Sequence, residues 1–146
     1  MVPAGFDRIR PRARTLATIL FIGAIGTVLY WVTFFASGAV QASEDACYLV
    51  FERSFPAADG WTAVASFLAA IGLWQGRPTA VLFGIAAGSG LVFLGLMDVL
   101  YNLENGMYAL ANPEMAAEIV INLFCLTVGP LAIAWPWRHR RMLDFD

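Results

Sequence analysis

The chain contains no lysine, one histidine and two cysteines. Each scarcity removes a class of chemistry. His139 follows the last apolar stretch, so no imidazole stands inside a membrane to ligate haem iron. A zinc site lacks its usual His and Cys set, and no CxxC motif occurs. Cys47 is expected outside and Cys125 at mid-membrane, too far apart for a disulfide. The outer acids lack the D-x-[DN]-x-[DN]-G spacing of a calcium loop, so no metal and no cofactor are expected. Charge is scarce as well: 14% of the 146 residues are charged and 60% are hydrophobic. Soluble domains average about 25% charged and roughly 45–50% apolar, and the excess here calls for lipid.

The charges that are present are sorted. Arg8, Arg10, Arg12 and Arg14 precede the first of four apolar stretches. Arg77 lies between the second and third, and Arg138, Arg140 and Arg141 follow the fourth. Glu44, Asp45, Glu52, Asp59, Asp98, Glu104, Glu114 and Glu118 fall in or beside the other two connections, with Arg53 the lone cation among them. Basic residues are held back in the cytoplasm during insertion. The expected fold is therefore all-α: a polytopic integral membrane protein with four transmembrane helices in two antiparallel hairpins and both termini cytoplasmic. One bundle takes up residues 1–146 and leaves no room for a soluble catalytic domain. Arginine to the exclusion of lysine, with many Ala and Gly, fits a GC-rich genome, hence the inner (plasma) membrane of a prokaryote.

Crossing the hydrocarbon takes about 20 apolar residues. Spans are expected at about 15–37, 56–74, 79–100 and 113–137, with outer connections at 38–55 and 101–112 and an inner turn at 75–78. Val40-Gln41-Ala42 before Ser43 resembles a signal-peptide cleavage site. The preceding apolar run exceeds the roughly 7–15 residues of a signal core, so an uncleaved first span is expected. Cys47 to Phe51 reads as a short helix along the membrane surface. Ser54 with Pro56, or else Asp59, marks the next helix start. Asn112-Pro113-Glu114 reads as cap, first-turn proline and an acid at the positive helix end. Pro130 removes the donor for the carbonyl of Leu126 and predicts a kink. Gly84 with Gly88, and Ala86 with Gly90, have the small-xxx-small spacing that lets helices approach closely within a bundle.

A polar site is expected in the outer half of the membrane. Asp98, Tyr101 and Asn102 share a helical face, and Glu118 and Asn122 begin a similar stripe that continues through Cys125 and Gly129. A carboxylate at the membrane centre costs about 2.5–3.5 kcal/mol, so these acids should seek partners. Arg53 is the expected partner, folding down on Asp98 or Glu118 as a clamp. Arg8, Arg10, Arg12, Arg14, Arg138, Arg140 and Arg141 are expected to contact lipid phosphates rather than nucleic acid.

No catalytic constellation is visible. The expectation is a non-catalytic accessory or scaffold subunit whose partners are membrane lipids and other membrane subunits or further copies of itself. The alternative is a small cation- or proton-coupled transporter or channel using Asp98 and Glu118. An enzyme acting on lipid or quinone through Asp98 and Tyr101 would lack a nucleophile–base pair.

Overall fold

The computed structural model describes residues 5–143; Asp144 and Asp146 of the tail lie outside them. Every regular element among the described residues is helical. The first helix, α1, runs from Phe6 to Ala36, starting nine residues before the expected 15. Arginine is a good helix former, and Pro11 falls early enough to deprive only the carbonyl of Asp7 of its donor. The short α2 (Ala46–Glu52) is capped by Asp45, whose carboxylate accepts from the backbone N–H of Cys47 at 2.8 Å and of Tyr48 at 3.3 Å.

Helix α3 (Pro56–Gln75) begins behind Phe55 without a side-chain cap. The expected caps are engaged elsewhere: the Ser54 hydroxyl donates to the carbonyl of Val50, and Asp59 binds another helix. Gly76 ends α3 at φ 66°, and α4 (Thr79–Glu104) starts after Arg77 and Pro78. It runs past the expected residue 100, so Tyr101 and Asn102 are helical. Helix α5 (Pro113–Arg138) opens with Asn112 accepting from the N–H of Met115 at 2.8 Å, and continues through Pro130 and Pro136. Four segments are long and apolar enough to cross a membrane: Phe6–Ala36, Ala46–Gln75, Thr79–Glu104 and Pro113–Arg138.

The helices pack in the order α1, α3, α4, α5, and α1 barely touches α5. At the end carrying most of the arginines, the basic end, small and aliphatic residues fill the bundle: Ala13, Ala17, Ala69, Ala70, Leu73 and Ala80 are fully buried. Phe6 and Leu143 close that end. Glycine sets the spacing of α4. A methyl added at Gly88 would lie 2.5 Å from the carbonyl oxygen of Gly129, and one at Gly84 would lie 2.8 Å from that of Ala132. Pro136 has removed the helical donor to Ala132, so a carbonyl with spare capacity faces a glycine Cα. The small-residue pattern is therefore two-sided: Gly84 and Gly88 meet α5, Gly90 meets Thr62 of α3, and Ala86 is half-buried between them.

Gly88→Ala should force α4 and α5 apart and destabilise the fold by about 1–3 kcal/mol. Gly60→Ala, whose new methyl meets nothing within 4 Å, should be neutral or slightly stabilising. Thermal melts of the two variants in one mild detergent check the contrast.

Candidate functional site

Tyr48 and Glu52 stand four residues apart on α2, so one helical face sends both into the bundle while Val50 stays exposed. Tyr48 donates its hydroxyl to Glu118 of α5 at 2.5 Å and accepts from the N–H of Ala42 at 3.1 Å. Asn102 of α4 donates to the other oxygen of Glu118 at 3.2 Å. Glu118 is 3% exposed and Asn102 1%. Asn112 extends the set by donating to the carbonyl of Ala42. One buried carboxylate thus ties the first connection, α4 and α5 together.

The other acids meet α1. Asp59, in the first turn of α3, accepts from the indole N–H of Trp31 at 2.7 Å. Glu52 is only 6% exposed, yet its one side-chain hydrogen bond among the described residues is a long one, from the Tyr30 hydroxyl at 3.4 Å. The second Glu52 oxygen has no donor among the described residues.

These groups border one cavity of about 590 Å³. Glu52, Asp59, Asp98 and Glu118 all line it, with Asn122 beside Asp98 and the aromatic rings of Tyr30, Trp31 and Phe55. Asn122 also donates to the Tyr108 hydroxyl. Farther toward the basic end the lining turns apolar: Leu20, Ala24, Leu91, Phe124 and Cys125. No arginine borders it. Ligand pockets generally run to about 300–1,000 Å³, mostly apolar with a few placed polar groups, and this cavity is of that kind. Among the described residues no three acids gather closely enough to hold a metal ion.

The expected site residues separate. Asp98, Glu118 and Asn122 share the cavity, and Asn102 backs Glu118 from behind. Tyr101 lies outside it, stacked flat on Phe51 with centroids 3.8 Å apart and planes 9° apart. The arginine clamp is absent. Arg53 is exposed, and the ion pair among the described residues is Arg10 with Asp7 at the basic end. Arg53 follows Glu52 by one residue, a rotation of about 100° on a helix, so turning Glu52 inward turns Arg53 out. Sequence reasoning did not single out Glu52, Asp59, Tyr30, Trp31 and Tyr48 as site residues. The four-residue spacing of Tyr48 and Glu52, and a span-end Trp facing a first-turn acid, were the available signals. At the basic end Arg8, Arg12, Arg14, Arg138, Arg140 and Arg141 are exposed, with Arg140 lying over the Trp137 ring at 4.4 Å.

Tyr48→Phe removes a donor from a buried carboxylate and should cost about 1–3 kcal/mol. Arg53→Gln should leave the detergent melting curve unchanged, because no carboxylate depends on it. A lowered melt for Arg53→Gln would restore the clamp.

Compared with known proteins, the chain matches no family model, no curated sequence and no solved structure.

Proposed function

We propose that this chain is a small, non-catalytic multi-pass protein of the plasma membrane that binds an organic ammonium ion in the cavity at its acidic end. The observation that carries the reading is a cavity with no arginine among its walls, lined by four carboxylates and, beside them, the rings of Tyr30, Trp31 and Phe55. Carboxylates in a poorly solvated site call for positive charge, and Glu52 has room for it. Aromatic faces attract cations, and quaternary ammonium ions most characteristically. The spacing of the acids favours a bulky organic ion over a metal.

The expected alternative, a transporter or channel through Asp98 and Glu118, has less support. Toward the basic end Phe6, Leu16, Leu20, Leu73 and Leu143 are buried in one apolar cluster, which does not favour a polar path beyond the cavity. The accessory-subunit expectation rested on small size and on the lack of a catalytic set. The exposed apolar faces that would serve a partner serve lipid equally well, so the cavity carries the proposal.

Choline titrated into the full chain in zwitterionic nanodiscs should bind, whereas dimethylbutanol, its uncharged isostere, should not. Glu52→Gln should weaken choline by about tenfold, as expected for losing one charge-assisted contact. Equal binding of the charged and uncharged compounds would refute the proposal. The arrangement of arginines supports a cytoplasmic position for both termini. A reporter enzyme fused after Asp146 should accordingly be active only when it is of the cytoplasmic type.

A further inference from the structure

The cavity is longer than an ammonium group needs. Its α1 wall extends from Thr33 to Leu20, fourteen residues and about 20 Å of helix. The carboxylates stand at one end of that length. At the other end the walls are Leu20, Ala24, Leu91, Phe124 and Cys125. Ser66 also lines the cavity, and two other hydroxyls along the way are engaged: Thr27 donates to the carbonyl of Gly23 at 3.1 Å and Thr62 to that of Ala58 at 2.9 Å. Both therefore turn little polarity toward the interior.

The cavity also has an opening. Helices α1 and α5 make few contacts with each other; the Phe124 ring crosses Gly23, and nothing approaches within 4 Å of the position a Cβ would take on Gly26. Ile22, Leu29 and Val120 border the slot while remaining 64%, 60% and 65% exposed. Such residues face acyl chains when the helices cross a bilayer. The slot is thus open sideways to lipid along its length.

We infer that the ligand is a single-chain ammonium amphiphile taken from the surrounding leaflet, its head among Glu52, Asp59 and Asp98 and its chain lying in the slot between α1 and α5. This rests on reading the acidic end as a cation site. Charge complementarity selects the head, because Glu52 is more than nine-tenths buried with an oxygen that no donor among the described residues meets. A volume of about 590 Å³ is of the size of one chain with its head rather than of a whole two-chain phospholipid. The side opening lets the molecule slide in without leaving the membrane.

Photolabelling tests this. The probe is dodecyltrimethylammonium carrying a diazirine on its terminal carbon, applied to the full chain in zwitterionic nanodiscs, with choline binding measured in parallel. Labelling should concentrate on Leu20, Ala24, Phe124 and Cys125, several-fold above the lipid-facing Phe93 and Leu96, and excess choline should suppress it. Gly26→Leu, which extends into the slot, should abolish that labelling and leave choline binding intact. Gly26→Ala is the milder substitution should the leucine variant not fold, and should reduce the labelling. Labelling spread evenly over Phe93, Leu96 and the slot, with choline still bound, overturns the inference alone. Absence of binding by both choline and the probe overturns the cation site and the inference together.

Discussion

A carboxylate among apolar groups must be given donors, and the acidic end of this bundle satisfies that demand without arginine. Tyr48 and Asn102 serve Glu118, Trp31 serves Asp59, and Tyr30 serves Glu52. The choice of neutral donors has a physical origin in how such chains are laid down. Basic residues beside a span steer its insertion, so a chain that keeps its arginines at one end has to satisfy acids at the other with hydroxyls, amides and indoles. Neutral donors bring no compensating positive charge of their own. An arginine would have supplied one and closed the site.

The same network positions the elements around the cavity. Glu118 holds α2 across the ends of α4 and α5, and Asp59 holds α3 to α1. Elsewhere the chain relies on size alone. Glycine and alanine bring α3, α4 and α5 into backbone contact toward the basic end, where lipid supplies no hydrophobic drive for helix pairing and close packing has to serve instead. Helix α1 joins that packing only through its first half, from Phe6 to Leu20. Its second half, with Gly23, Gly26 and Thr27, presents small side chains toward α5 and leaves the space that becomes the slot. A solid half and a hollow half follow from where the small residues fall along α1.

The helical segments and the sorting of charge were legible because they depend on composition over twenty or more residues. Caps were legible where one residue type has one dominant use, as with Asn112 before Pro113. The site was legible in part. Asp98, Glu118 and Asn122 announce themselves as polar residues within apolar runs. Glu52 and Asp59 do not, because each sits near a connection among other acids that are merely solvated. What separates Glu52 from Glu44 is the rotation of a seven-residue helix, set by Tyr48 reaching Glu118 seventy positions away. Arg53 failed as a partner for the same reason: charge complementarity was visible in the sequence and the direction of the side chain was not.

The division of labour within the cavity follows from its solvent. A chain moved from the bilayer into the slot exchanges one apolar environment for another, so the transfer contributes little beyond better packing. The head is different. Moving an ammonium group from the headgroup region to a site bordered by Glu52, Asp59 and Asp98 exchanges water for carboxylates in a medium where charges interact more strongly. On the proposed reading, selectivity resides at the acidic end, and the apolar length determines which molecules fit once the head is chosen. A bundle fully packed to both ends would have been the more stable solution for these helices. Keeping α1 and α5 apart sacrifices that packing for a cavity bordered by carboxylates, which is what the proposed ammonium ligand would occupy.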